Sequence, residues 1–327
     1  MYVELCMEFG KTEINFQQSS NLQGVIMENI STEYAGILHG NQLNPYSQYV
    51  SKEENGVVWH IKTVTDEAYK NIILPMSELK EITLRKRGIT IVPEKKTIQM
   101  MEAKTLLDEF YDKKCSRYFE VYFLTPTAFK HDGNYIFYPD LSLIYGSLMR
   151  KYSAFSQQMT MEDKDTLEEL CRSSEVVNYR LQTIPFPLEK INVTGFVGKI
   201  GIKVKGSETI ARYIRLLFHF GEFSGVGIKT GMGMGAIRMN DRKAKLIIGS
   251  LLHDIGKVIY REGGDKRNHS VSGYDYLKEE ADIKEKEILD CVKYHHALLL
   301  KSANLEDDNL AYITYIADNI AAFADRR

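Results

Sequence analysis

Residues 220–235 read Phe-Gly-Glu-Phe-Ser-Gly-Val-Gly-Ile-Lys-Thr-Gly-Met-Gly-Met-Gly, six glycines in sixteen positions. Spacing decides what this loop is not. A phosphate-binding loop of the nucleotide-binding α/β folds needs Gly-Lys-Ser/Thr, whereas Ile228 separates Gly227 from Lys229 and Thr230, and no Gly-x-Gly-x-x-Gly occurs. Two readings stay open. One is a flexible turn; the other is a cradle in which unshielded backbone N–H groups and Lys229 hold an RNA backbone.

The residues before the loop favour the cradle. A helix over 207–220 places Ile210, Ile214 and Leu217 on one side and Arg212 and Arg215 on another. Within 191–205, Ile200, Ile202 and Val204 alternate with Lys199, Gly201, Lys203 and Lys205, which predicts a strand with one apolar and one basic face. Strands near 118–124 and 135–138 and helices near 141–155 and 161–171 come earlier. The first hundred residues give a cleaner version of the same order: strand 1–9, helix 22–38, strand 57–64, helix 66–79 and a hairpin over 82–92 around Arg87-Gly88. The fold class is therefore α+β, with two ferredoxin-like (RRM-like) domains over residues 1–100 and 101–238.

From Asp241 the texture becomes almost wholly helical and carries four of the chain's eight histidines, so a third, all-α domain is expected over 239–327. Met239 stands at the join. A content of 44% hydrophobic and 26% charged residues is that of an ordinary globular protein, and 327 residues suffice for two or three cores. The net charge of −2 gives no global attraction for nucleic acid, so binding must come from local Lys and Arg clusters. No run of about 18 apolar residues occurs, and Glu4 and Glu8 interrupt the N-terminus, so a cytoplasmic protein without a membrane partner is expected. Cys6, Cys115, Cys171 and Cys291 form no Cys-x-x-Cys pair and read as small apolar residues.

The stretch Gly221 to Gly235, GEFSGVGIKTGMGMG, closely resembles the C-terminal glycine-rich signature of the sixth CRISPR-associated protein family, endoribonucleases that cut CRISPR precursor RNA within its repeats. Thr125-Pro-Thr-Ala-Phe-Lys130, Tyr138-Pro-Asp140 and the two-half order extend the likeness over about residues 1–238. The resemblance implies CRISPR repeat RNA bound along the junction of two ferredoxin-like domains, and no metal or other cofactor in RNA cleavage. On that footing Lys199, Lys203, Lys205, Arg212, Arg215, Gly225, Gly227, Lys229, Thr230, Gly231, Gly233 and Gly235 are the RNA-binding candidates.

A metal-free ribonuclease needs a base for the 2′-hydroxyl, an acid for the 5′-oxygen and positive charge for the phosphorane; histidine can take either proton-transfer role. His39, His60, His131 and His219 precede residue 239, and a lone histidine is by itself as readily a surface or core residue. The resemblance places the catalytic histidine after the first helix in a Leu-His context, here Leu38-His39, and adds a tyrosine and a lysine. Tyr34, Tyr46 and Tyr49 lie nearby in sequence. Between Leu38 and Ser51 there is no lysine, which leaves Lys52 or a basic group elsewhere to supply the charge. That departure keeps an RNA-binding protein without cleavage as an alternative.

Further on, Leu251-Leu-His-Asp-Ile-Gly-Lys257 sets His253 and Asp254 in an apolar run read as helix, followed by His269, His295-His296 and Asp318. Jointly these nitrogen and oxygen donors suit one or two divalent transition metals, Mn²⁺, Ni²⁺ or similar. Asp254 is expected to be shared, with His269, His295 and His296 completing one position and His253 and Asp318 contributing to the other. Residues 241–327 resemble the N-terminal HD domain of the tenth CRISPR-associated protein, the large subunit of type III effector complexes, through Tyr294-His-His296, residues 310–319 and Asp325-Arg-Arg327. This implies a metal-dependent nuclease, single-stranded DNA as its substrate, and type III effector subunits as partners. HD proteins often carry another histidine before the dyad, and none lies between Arg238 and His253. The chain also ends where the large subunit would continue into its polymerase-like palm, so cyclic oligoadenylate synthesis is not implied. A phosphohydrolase of small nucleotides and an inactive remnant are the alternatives.

Overall fold

Alternation in the first residues builds β1 (Tyr2–Phe9), in which Val3, Leu5, Met7 and Phe9 are buried on one face and Glu4, Cys6 and Glu8 lie on the other. The structure, a computed structural model, describes residues 1–10, 12, 14–53, 56–85, 88–112, 115–156, 162–188, 191–240, 242–261, 267–305 and 309–324. Arg87, Met161 and Asp325-Arg-Arg327 of the sequence reading lie outside these. The single helix expected over 22–38 is two helices, α1 (Ser19–Asn29) and α2 (Thr32–Gly40). Ile30 adopts an extended conformation and Ser31 restarts the helix, its Oγ accepting from the Tyr34 N–H.

The first half continues with β2 (Tyr46–Glu53), β3 (Gly56–Thr63), α3 (Asp66–Ala68), a π-turn over Tyr69–Ile73, α4 (Leu74–Glu78), the short pair β4 (Ile82–Leu84) and β5 (Ile89–Ile91), and β6 (Lys95–Met101). Its sheet runs β2-β3-β1-β6, the ferredoxin-like order. Leu22, Ile26 and Leu38 from the helices pack on Leu5, Trp59 and Ile61 of the strands.

The second half comprises α5 (Ala103–Asp112), β7 (Tyr118–Thr127), the pair β8 (Phe129–His131) and β9 (Asn134–Ile136), α6 (Leu141–Phe155), α7 (Lys164–Arg172), β10 (Ser174–Leu188), β11 (Ile191–Val204), α8 (Glu208–Ser224) and β12 (Ile237–Asn240). Its sheet runs β10-β11-β7-β12, the same topology again. One core joins Val121, Ile200 and Ile202 to Leu148 of α6 and Ile214 and Leu217 of α8.

Two compact units result, Met1–Asn240 and Asp241–Arg327. Met239 belongs to β12, opposite Val121. The second unit contains α9 (Arg242–Leu252), α10 (Gly256–Arg261), α11 (His269–Glu279), α12 (Lys286–Lys293), α13 (Ala297–Ser302) and α14 (Leu310–Ala324) around Leu277, Leu289 and Val292. No helix among the described residues is long and apolar enough to cross a membrane.

Candidate functional site

The glycine-rich loop is a buried knot between the two halves of the first unit. Gly227 has φ +75° and its Cα faces the chain so closely that a Cβ would stand 2.3 Å from the Ala128 carbonyl oxygen. The N–H groups are occupied. Val226 donates to Gly235 O, Ile228 to Ala128 O, Gly235 to Pro126 O, Gly227 to Ser147 Oγ and Ala236 to Thr125 Oγ1. Those of Met232, Gly233 and Met234 turn back onto the Lys229 and Thr230 carbonyls. The expectation of a row of unshielded N–H groups at Gly225, Gly227, Gly233 and Gly235 is corrected accordingly: the glycines serve close backbone packing. From the other half, Gln48 Nε2 reaches Ser19 O (2.7 Å) and Gly231 O (3.3 Å) while its Oε1 accepts from Trp59. Lys229 is the exposed residue of the turn.

Lys151, on α6, braces the loop from below. Its buried Nζ donates to Ser224 O and Gly225 O, both at 3.0 Å, and lies 3.2 Å from Thr230 Oγ1. Burial, reinforced by Arg150, pushes its ammonium down to about 7. The unfolded chain, with a lysine near about 10.4, then holds the extra proton between about pH 7 and 10, so stability rises with pH across that window. Lys151→Met removes the rise and costs about 2–4 kcal/mol by stranding two carbonyls. Urea unfolding followed through Trp59, the chain's one tryptophan, checks this; an unchanged pH slope in the variant rules it out.

The expected basic strand and basic helix do not share a surface. Ile200 and Ile202 face α8, so Lys199 and Lys203 lie on the opposite face of the sheet. Lys199 Nζ is 3.3 Å from Glu120, Lys205 pairs with Glu175 at 2.6 Å, and Arg212 pairs with Glu208 and donates to Tyr111 O. Arg215 is half-buried on α8, whereas Lys203 is exposed.

His39 closes the last turn of α2, exposed, and its imidazole has no hydrogen-bond partner among the described residues. It lines a pocket of about 270 Å³ with Asn21, Gln23 and Glu28 of α1, Thr83 and Leu84 of β4, Arg85, and Met232 of the glycine-rich turn. Material from both halves thus meets at this histidine. Tyr34, Tyr46 and Lys52 are not brought to it. Tyr34 lies five residues back on α2, about 140° around the axis, and points into the core. Tyr46 is fully buried beneath Gly231, its hydroxyl accepting from Gln23 Nε2 at 3.3 Å. Burial pushes both phenols up to about 12. Lys52, exposed, is six residues along β2 from Tyr46, about 20 Å away.

Sequence reading missed a polar cluster on the open face of the first sheet. His60 Nδ1 lies 2.8 Å from Glu4 Oε1 and 3.5 Å from Cys6 Sγ, its Nε2 lies 2.9 Å from Ser51 Oγ, and its ring stacks on Tyr49. These are three metal-competent side chains, yet Lys62 Nζ already sits 3.3 Å from Glu4 Oε1 and donates to Glu222 O. The lysine supplies the cation, and the cluster is a satisfied network that ties the first sheet to the end of α8.

In the second unit α9 stops at Leu252, so His253 and Asp254 lie in the turn before α10 and not inside a helix as the apolar run predicted. This correction has a physical root in Gly256, where a Cβ would stand 1.9 Å from His269 O: only glycine lets α10 start against α11. Asp254 Oδ1 then faces His269 Nε2 (3.2 Å) and His295 Nε2 (3.6 Å), and His296 Nε2 is 2.9 Å from His269 Nε2. On the other side, His253 Nε2 lies 3.3 Å from Asp254 Oδ2 and 3.5 Å from Asp318 Oδ1, while Lys257 Nζ is 2.6 Å from Asp254 Oδ2.

These side chains fit a cation. His253 and His295 each turn Nδ1 to a backbone carbonyl, Ser250 O and Val292 O, both at 2.6 Å, which leaves Nε2 lone pairs facing inward. Burial pushes the His295 imidazole down to about 4, with its neighbours His296 and His253 adding to the effect, so it is neutral and able to ligate. Asp254 Oδ1 is buried and accepts no hydrogen bond, although a histidine nitrogen lies 3.2 Å away. Two tetrahedral ligand atoms about 2.0–2.1 Å from one ion are about 3.3–3.4 Å apart, and the separations among these groups, 2.9 to 3.6 Å, bracket that spacing.

The family model of the CRISPR-associated endoribonuclease Cas6 matches residues 121–237, and that of the HD domain residues 224–322. The chain is 36% identical over 220 residues to a CRISPR-associated endoribonuclease Cas6 of Streptococcus thermophilus, 67% of this chain and 90% of that one. It is 48% identical over 90 residues to the CRISPR system single-strand-specific deoxyribonuclease Cas10/Csm1 of Enterococcus italicus; this region is 27% of the chain and spans 12% of that relative. A solved Cas6 product complex shares the fold with a TM-score of 0.63 at 20% identity, covering 74% of this chain and 100% of that one. The chain therefore belongs to the CRISPR-associated endoribonuclease Cas6 family and carries after its Cas6 region an HD domain similar to a segment of Cas10/Csm1.

Proposed function

We propose that residues 1–238 form two domains, 1–100 and 101–238, that cut CRISPR repeat RNA without a metal ion, with His39 moving the proton. The observation that carries this reading is an exposed histidine, without a hydrogen-bond partner among the described residues, in a pocket built from α1, α2, β4 and the glycine-rich turn. The 2′-oxygen attacks the phosphorus and loses its proton, the bond to the 5′-oxygen breaks, and that oxygen gains a proton. The products are a 2′,3′-cyclic phosphate and a 5′-hydroxyl. Incubating the chain with end-labelled repeat RNA, with and without EDTA, and mapping the ends tests the proposal. RNA bound but uncut leaves only a binding protein.

Lys203 and Lys229, both exposed, are the members of the basic set best disposed to meet a backbone. Replacing either with alanine weakens RNA binding about 3- to 10-fold at moderate salt and lowers the slope of log K against log salt by about 0.7 per lost phosphate contact. Filter binding across a salt series measures this, and unchanged slopes place the RNA elsewhere.

For residues 239–327 the supported reading is a metal-dependent nuclease for single-stranded DNA, working beside type III effector subunits in the cytoplasm. A divalent ion of the Mn²⁺ or Ni²⁺ kind would be held by Asp254, His269, His295 and His296, with His253 and Asp318 beside it, and would supply a polarised phosphate and a more acidic bound water. The resemblance to a relative described as a single-strand-specific deoxyribonuclease supports the substrate.

A further inference from the structure

Cleavage through a phosphorane concentrates negative charge on the non-bridging oxygens, and a fixed cation there is among the largest contributions an active site makes. Neither Lys52 nor Lys229 lines the pocket that contains His39, whereas Arg85 does.

We propose that Arg85, at the end of β4, is the cationic catalytic group of the RNA-cleaving site, reaching a non-bridging oxygen of the phosphate that His39 serves. The proposal rests on the reading of His39 as the proton-transfer group. Among the described residues lining the pocket Arg85 alone carries positive charge, and the other polar lining groups are the amides Asn21 and Gln23, the hydroxyls Ser20 and Thr83, His39 and Glu28. Its side chain is 76% exposed and pairs, among the described residues, with the Glu28 carboxylate, Nε to Oε2 at 3.4 Å, itself 43% exposed. An ion pair so open to water is weak, so an RNA phosphate can displace Glu28 without stranding a buried charge. The planar fork of donors then suits a tetrahedral or trigonal-bipyramidal phosphorus with two oxygens on one side.

The bland reading is a surface ion pair that merely tethers β4 to α1. Single-turnover cleavage of repeat RNA at saturating enzyme separates the two, using Arg85→Ala, Arg85→Lys and His39→Ala chains. Arg85→Ala should lower the cleavage rate about 10²- to 10³-fold with less than about a 10-fold change in Kd, the loss typical of one electrostatic donor. Arg85→Lys should recover part of that loss. Substituting sulfur for one non-bridging oxygen should slow the parent enzyme stereoselectively, and that selectivity should disappear in Arg85→Ala, which a tether would not cause. If His39→Ala is slow while Arg85→Ala cleaves normally, the assignment of Arg85 is overturned and that of His39 stands. A defect in Arg85→Ala confined to Kd overturns it equally. Normal rates in both variants remove the underlying reading of the pocket.

Discussion

Replacing His39 with alanine lowers the single-turnover rate of RNA cleavage by about 10²- to 10⁴-fold and leaves RNA affinity nearly unchanged. The split between rate and affinity follows from position. An imidazole at the end of α2, exposed and with no hydrogen-bond partner among the described residues, contributes little to holding a long RNA, whose affinity comes from many phosphate contacts. What it contributes is a proton acceptor or donor placed at one phosphate. The residual rate reflects binding, charge and orientation by the rest of the pocket. Cleavage by the parent chain should persist in EDTA, because attack by the RNA's own 2′-oxygen as proposed needs proton transfer and charge stabilisation from side chains and no metal-bound nucleophile. Full activity of His39→Ala at saturating enzyme would sink the assignment. The variant should fold, since the side chain is exposed and the helix end is closed by the Asn41 N–H donating to Ile37 O.

The order of the first unit was legible because ferredoxin-like halves alternate strongly at β1 and β11, where buried and open faces differ in character. The strands β2, β6, β8, β10 and β12 were not, and two of them show why. β2 reads Tyr-Ser-Gln-Tyr-Val-Ser-Lys-Glu without alternation, because Ser47 and Gln48 are buried polar residues that bond to Phe223 O and the glycine-rich turn. β10 contains Pro185 and Pro187, which argue against a central strand; it is the edge of its sheet, where a missing N–H is tolerated. Similar limits apply to the sites. His39 was reached through its Leu-His context, but local sequence could not separate it from Tyr34, which shares α2 and faces the core. Arg85 carries no signal at all in sequence, since only the meeting of β4 with α1 and the end of α2 makes it a neighbour of His39. The glycines were read as open backbone because sequence does not reveal that Ser147, Thr125 and Lys151 already saturate the loop from β7 and α6.

The paired substitution His253→Ala, Asp254→Ala abolishes metal retention and reduces degradation of single-stranded DNA to the level seen without enzyme, while RNA cleavage continues. Asp254 is the hinge of that prediction. One oxygen faces His269 and His295 and accepts no hydrogen bond; the other lies within 3.3 Å of His253 and 2.6 Å of Lys257. Burial raises the carboxyl, but the hydrogen bond from Lys257 and the nearby histidines outweigh it and hold the group below the usual range, so the carboxylate is charged at neutral pH. Removing it leaves His269, His295 and His296 with their nitrogens 2.9 and 3.2 Å apart and no anion to offset a divalent charge. Removing His253 as well takes away the link to Asp318. Metal binding requires neutral imidazoles, so retention should fall as the pH drops below the histidine range and return on neutralisation. The readout independent of catalysis is metal content: the parent chain should titrate with at least about one equivalent of Mn²⁺ or Ni²⁺, and the double variant with none. A parent chain that takes up no metal and leaves single-stranded DNA intact under the same titration reduces residues 241–327 to a folded helical remnant whose histidines only pack.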